Sequence, residues 1–155
     1  MESTLQIQAF VHGAALQARP DYGVLTLSDA DRVDFLQRMT TNDIARLTPG
    51  HAVVTVLTSP TARILFVFTV LQAGELLWLL PARGEAAALE RHLRGQIFFM
   101  DKIRLRNLSA DYGRMRLMGQ QADAVLAAAG LPMEEASDGE WIEYDGTILV
   151  RQQNY

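Results

Sequence analysis

An α+β fold, built as an antiparallel sheet with helices packed on one face, is what this 155-residue sequence predicts. Three observations lead there. His51 to Leu57 and Ile64 to Leu71 are apolar runs rich in Val, Ile, Phe and Thr, separated by the hairpin-length connection Thr58-Ser59-Pro60-Thr61. No crossover helix fits between His51 and Leu80, which disfavours a parallel sheet there. Helical periodicity flanks this stretch, with Val33, Leu36 and Met39 before it and Ala86, Leu89 and Leu93 after it.

The elements follow in order. Residues 1–21 read as a lead-in segment, ending at Arg19-Pro20-Asp21 and able to pack as a short helix around Phe10 to Leu16. Tyr22 to Leu27 reads as a strand. Ser28 is a good helix N-cap, with Asp31 placed to reach back in a capping-box arrangement. Thr40-Thr41-Asn42-Asp43 ends that helix, a further turn runs through Leu47, and Pro49-Gly50 breaks the chain. After the hairpin come a strand at Leu76 to Leu80 and a helix from Gly84 to Leu93. Ile103 and Leu105 alternate with Lys102, Arg104 and Arg106, and Met115 and Leu117 alternate with Arg114 and Arg116, as in half-buried strands with a basic outer face. Gly119 opens a helix whose stripe is Ala122, Val125, Leu126 and Ala129, and Gly130-Leu131-Pro132 stops it. An acidic run, Met133 to Gly139, leads to Trp141–Tyr144 and Thr147–Val150, joined by Asp145-Gly146, the strongest two-residue hairpin signal in the chain.

Composition narrows the function. At 49% hydrophobic residues the chain can bury one sizeable core, so one main domain is expected. A net charge of −4, with Lys102 the only lysine and the arginines scattered, disfavours nucleic acid or an acidic membrane as the main partner. There is no cysteine, which excludes disulfides, thiolate metal sites and a cysteine nucleophile. The three histidines lie far apart and form no metal-ligand spacing. No run approaches the roughly 18 apolar residues of a membrane span, and the N-terminus lacks the pattern of a signal peptide, so a cytoplasmic protein is expected.

No nucleophile motif or phosphate-binding glycine loop occurs, and Ser28, Ser59, Ser109 and Ser137 sit where caps or turns are expected. The acidic groups Asp29/Asp31/Asp34 and Glu134/Glu135/Asp138/Glu140 read as a helix first turn and a solvated run. The Arg104/Arg106 and Arg114/Arg116 pairs read as solvated strand faces, with an anion such as a glutamate tail as the alternative. Trp78, centred in Leu76-Leu77-Trp78-Leu79-Leu80, suits either a core or the wall of a pocket for a planar heterocycle.

One series of residues carries a resemblance. Asp31-Arg32, Phe35-Leu36-Gln37, Thr41-Asn42-Asp43, Leu47, Pro49-Gly50, Ser59-Pro60 and Arg63-Ile64-Leu65 are followed by Lys102-Ile103, Leu108-Ser109 and Leu117-Met118-Gly119. In this order they resemble the folate-binding domain shared by the glycine-cleavage T-protein (aminomethyltransferase) and the YgfZ-like proteins, over Gly23 to Leu131. The resemblance implies tetrahydrofolate as cofactor, in a cavity whose wall falls on Leu36, Val54, Val67, Trp78, Leu80 and Ala82. In T-proteins an aspartate within Gly-x-Ile-x-Asp-Asp assists one-carbon transfer. Laid onto this chain, the pattern's two acidic positions fall on Phe66 and Val67, so no catalytic residue is assigned. This fits the YgfZ-like branch, linked to iron–sulfur protein maintenance, although that branch's Lys-Gly-Cys-x-x-Gly-Gln-Glu signature is absent. The reading is a lead-in at 1–21 and the N-terminal part of a folate-binding domain at 22–155, its C-terminal half and barrel missing or replaced by self-association. The alternatives are an active one-carbon transferase or demethylase using Asp43 or Asp101, and an interaction module that has lost the ligand.

Overall fold

The computed structural model describes residues 7, 8, 10–131, 133 and 135–152. The chain divides into two compact units, one comprising residues 20–113 and the other the described residues of 1–19 and 114–155. The α+β class holds, with every strand pairing antiparallel.

Residues 20–113 fold around a five-stranded sheet. Its elements are β2 (Leu25–Ser28), α1 (Arg32–Met39), a 3-10 turn (Ile44–Arg46), β3 (Ala52–Thr58), β4 (Ile64–Ala73), β5 (Leu76–Pro81), α2 (Ala86–Arg94) and β6 (Arg104–Asn107). The sheet order is β3-β4-β5-β2-β6. Because β5 and β6 both run antiparallel to β2, they are parallel to each other, and α2 is the crossover that joins them around it. The expected hairpin is β3–β4, turning through Ala62 at φ 58°.

Both helices pack on one face. Phe35 and Leu36 of α1, Ile44, and Leu89 and Leu93 of α2 bury against Leu25, Leu27, Leu57, Phe68, Val70, Leu77, Leu79 and Leu105. The strand members of this core alternate along each strand, as a one-sided sheet requires. Polar ties fix the helices in place. Arg32 donates to the Gly74 carbonyl at 2.7 Å, and Arg94 donates to the Leu105 carbonyl at 3.1 Å. Glu90 accepts from Asn107 at 2.8 Å and from Arg94 at 2.8 Å, and these bonds hold its carboxyl below the usual carboxylate range. The exposed edge of β3 is covered by the residues after α1. Thr41 donates to the Val56 carbonyl at 3.0 Å, and the Asn42 side chain donates to the Val54 carbonyl.

Three sequence expectations shift here. Ser28 is the last residue of β2 and no capping box forms, because Asp31 is the N-cap residue and its side chain turns away. Asp31 Oδ2 instead accepts the Lys102 N–H at 2.8 Å, while the Asp31 N–H donates to the Lys102 carbonyl at 3.2 Å, so the residue pins the strand-to-helix corner to the approach to β6. The strand expected from Tyr22 begins only at Leu25.

The second unit contains β1 (Ala15–Ala18), β7 (Met115–Met118), α3 (Ala122–Ala128), β8 (Trp141–Tyr144) and β9 (Thr147–Val150). Residues 7, 8 and 10–12 are helical, so the helix expected around Phe10 to Leu16 ends earlier and Ala15 is already in a strand. The strands form two separate two-stranded ribbons, β1–β7 and β8–β9, instead of extending the five-stranded sheet. The Asp145-Gly146 hairpin forms as expected, with φ of 47° and 73°, the left-handed pair of a type I′ turn. Val125 of α3 is 46% exposed and no residue of that helix is buried, so its apolar stripe faces no core among the described residues. Arg151 ties the ribbon to α3 through Asp123 at 2.8 Å. The expected stop at Pro132, the acidic position Glu134 and residues 153–155 lie outside the described residues.

Candidate functional site

Side chains alternate across a strand, so the face of the five-stranded sheet opposite α1 and α2 carries the other half of each pattern. On β4 these residues are Leu65, Val67, Thr69 and Leu71. Register places Val54 of β3, Thr69 of β4 and Leu80 of β5 side by side in one row. The neighbouring rows are Val56 beside Val67, and Ala52, Leu71, Trp78, Thr26 and Arg106 in sequence across all five strands.

Four of the six residues expected to line a cavity therefore share this face: Val54, Val67, Trp78 and Leu80. Ala82 follows directly after β5 and is exposed. Leu36 does not join them. It is fully buried on α1, in the core on the opposite side of the sheet, because helical spacing from Phe35 turns it into that core. The two positions of the missing acids also separate. Phe66 lies on the α1 and α2 side, half-buried with its ring 5.6 Å from that of His92, whereas Val67 lies on the opposite face and is 40% exposed.

The face is not uniform. Leu71 and Trp78 are buried, while Leu65 and Val67 at the hairpin end are 39% and 40% exposed and Val54, Val56 and Leu80 are half-buried. Trp78 does not present a bare ring. Tyr112 meets it edge-on, with ring centroids 5.2 Å apart and planes at 79°. Tyr112 is 37% exposed, whereas Trp78 is buried. Sequence reasoning had no signal for Tyr112, since it sits in an irregular segment after β6 without periodicity.

The side chains that β3, β4 and β5 place on this face are mainly apolar. Thr69 is its polar group in the Val54–Leu80 row, and no carboxylate occurs among its β3, β4 and β5 residues. The two acids considered as substitutes are engaged elsewhere. Asp43 pairs with Arg46 at 3.3 Å on the 3-10 turn. Asp101 lies beside α1, where Arg38 donates to it at 2.6 Å and the Phe98 N–H at 2.9 Å, and these bonds hold its carboxyl below the usual range. The arginine pairs part company as well: Arg104 and Arg106 are on β6 and Arg114 and Arg116 are on or beside β7, in different sheets. Arg104 approaches Asp29 at 3.9 Å. Among the described residues no group of His, Asp and Glu is placed to hold a metal ion, and no helix is long and apolar enough to cross a membrane.

Comparison with known proteins adds a family. The fold is similar to that of the glycine cleavage system aminomethyltransferase T of Bartonella henselae, with a TM-score of 0.86 over 97% of this chain and 41% of that one, at 24% identity. In sequence the chain is 28% identical over 109 residues to an aminomethyltransferase of Bacillus subtilis (strain 168), covering 67% of this chain and 28% of the relative. It is 23% identical over 125 residues to a putative chloroplastic transferase of Arabidopsis thaliana, covering 81% of this chain and 29% of the relative. The chain thus spans less than a third of the length of these sequence relatives. The family model for the GCVT N-terminal domain matches residues 8–142, most of the chain, and the protein belongs to that family.

Proposed function

We propose that this chain is a tetrahydrofolate-binding domain without the carboxylate of an aminomethyltransferase, and that reduced folate lies on the face of β3, β4 and β5 opposite α1 and α2. The observation that carries this reading is the in-register row Val54, Thr69 and Leu80 with Val67 beside it, a mainly apolar strip in which Thr69 is buried and Val67 is exposed, in a chain of the GCVT family. A planar heterocycle laid on such a strip removes apolar area from water on both sides of the contact. Val54, Val67 and Leu80 would hold the ring, Thr69 supplies a hydroxyl within the strip, and Ala82 and the Tyr112–Trp78 pair bound it. Tetrahydrofolate, when bound, supplies the one-carbon carrier. At Val67 the chain offers it neither a hydrogen bond nor a negative charge, so binding without transfer is the expected activity.

Isothermal titration with 5-formyltetrahydrofolate tests this. Saturable binding at one site per chain is expected, weakened about tenfold or more by Val67→Arg, which places an unpaired charge on the strip. Absence of binding overturns the reading and favours an interaction module on the same fold. Equal binding by the variant moves the site elsewhere.

A further inference from the structure

The second unit repeats part of the first. In residues 20–113, β2 pairs with β6 and leads through Asp29, at φ 76°, into α1. In the other unit β7 pairs with β1 and leads through Gly119, at φ 117°, into α3. The hydrogen bonds that fix these corners coincide. The Asp31 N–H donates to the carbonyl of Lys102, just before β6, at 3.2 Å, and the Gln121 N–H donates to the carbonyl of Gly13, just before β1, at 2.9 Å. At the other end of each ladder the Leu108 N–H donates to the Val24 carbonyl at 2.9 Å and the Arg19 N–H to the Arg114 carbonyl at 2.8 Å. Each helix then leads on to a hairpin, β3–β4 in the first unit and β8–β9 in the second.

The repeat is one strand short. In the first unit β5 lies between β4 and β2 and pairs with both, which joins the hairpin and the strand pair into one sheet. Among the described residues no strand plays this part in the second unit, and β1–β7 and β8–β9 stay separate. Burial shows the consequence. Leu77 and Leu79 of β5 stand opposite Leu27 and Leu25 and share one core with them and with Phe35 and Leu36, all fully buried. The counterparts of Leu25 and Phe35 are Met115 and Val125, at 68% and 46% exposure, and those of Leu27 and Leu36, Leu117 and Leu126, are only half-buried. The Arg19–Arg114 bond sets the alternation along β7, so the backbone groups of Met115 and Leu117 point away from β1, to the open edge. Unpaired backbone groups flanked by apolar side chains are a template for one more strand.

We propose that β7 and β9 flank a slot for an extended strand of another polypeptide, running antiparallel to β7 with leucine-like residues at alternate positions. The repeat specifies this occupant, because β5 (Leu76–Pro81), which fills the equivalent position in the first unit, has that chemistry. A second copy of the chain is disfavoured. Every described strand already pairs along at least one edge, so none has both edges free to close the slot. Arg151, just past β9, bonds Asp123 of α3 and the Met133 carbonyl, which orders hairpin and helix before the strand arrives. The slot belongs to a different unit from the strip on β3, β4 and β5, so it stands independently of folate binding.

The probe is a short synthetic peptide with Leu at alternate positions, Thr between them and Lys at both ends, added to the full chain and followed by amide hydrogen exchange in NMR spectra. Excess peptide is expected to slow exchange of the Met115 and Leu117 amides about tenfold or more, while the Arg116 amide, which faces β1, keeps its rate. Met115→Lys, at an exposed site, should leave melting unchanged and weaken the peptide about tenfold or more by placing an unpaired charge in the slot. No protection up to about 1 mM peptide would overturn the proposal. So would unchanged affinity in Met115→Lys, or equal binding of a peptide with prolines at its centre, which lacks the N–H groups to complete a ladder. A dimer of the chain alone, seen in sedimentation velocity and dispersed by Met115→Lys, would also overturn it and would make a second copy the occupant.

Discussion

Residues 20–113 and the unit formed by 1–19 and 114–155 are built from the same kinds of element, yet among the described residues nearly all of the buried apolar side chains belong to the first. Among the described residues, every buried hydrophobic residue apart from Met133 lies between Val24 and Leu105. In that stretch two amphipathic helices cover one face of a five-stranded sheet, and each contributes residues that lose all contact with water. In the other unit a seven-residue helix and two-stranded ribbons leave Leu16, Met115 and Val125 at 66%, 68% and 46% exposure. Two-stranded ribbons bury little by themselves. Strand and helix signals in a sequence therefore fix local conformation, while burial depends on how many elements share a face.

The strongest way to break this comparison is Phe35→Ala. The ring is fully buried beneath the sheet, so its loss should cost the 20–113 unit about 3–5 kcal/mol. Trp78 lies in that unit and Trp141 in the other, so urea unfolding followed by fluorescence in a Trp141→Phe background isolates the effect. A loss no greater than that of a surface substitution would mean that the core is not where the energy lies.

Gly119→Ala probes the other unit through backbone geometry. Gly119 has φ 117°, and a Cβ there would meet the Gly13 carbonyl, so a destabilisation of about 1–3 kcal/mol confined to that unit is expected. Unfolding followed at Trp141 in a Trp78→Phe background measures it.

Acid should act on the first unit. Asp101 and Glu90 both carry lowered pKa values, so they bind protons less readily when folded than when unfolded. Their contribution is fully present above the ordinary carboxylate range near pH 4 and is lost as pH falls through the lower folded values. Asp101→Asn should flatten the fall in melting temperature below about pH 4. An unchanged acid profile would detach Asp101 from the stability of the unit. The smallest effect belongs to Val125→Ala, within about 0.5 kcal/mol, because this side chain has little burial to lose.

Much of this was legible in the sequence, for identifiable reasons. The β3–β4 hairpin, β5, α2 and the Asp145-Gly146 turn carry strong local signals, and each forms close to the expected residues. The face assignment of Val54, Val67, Trp78 and Leu80 follows from period-two alternation once the register is known. Leu36, expected in the same wall, is fully buried beside Phe35 in the core on the α1 side of the sheet, a facing that alignment to a family does not carry. Asp31 was misassigned because its partner, Lys102, lies 71 residues away, beyond any local capping rule. Tyr112 carried no pattern, and its contact with Trp78 exists only in three dimensions.

The most direct measurement is a two-dimensional amide NMR titration of the chain with 5-formyltetrahydrofolate. Shifts centred on Val54, Val67, Thr69 and Leu80 are expected, with Leu36 unmoved. Shifts centred on the helix side of the sheet, or no shifts at saturating ligand, would contradict the proposed site.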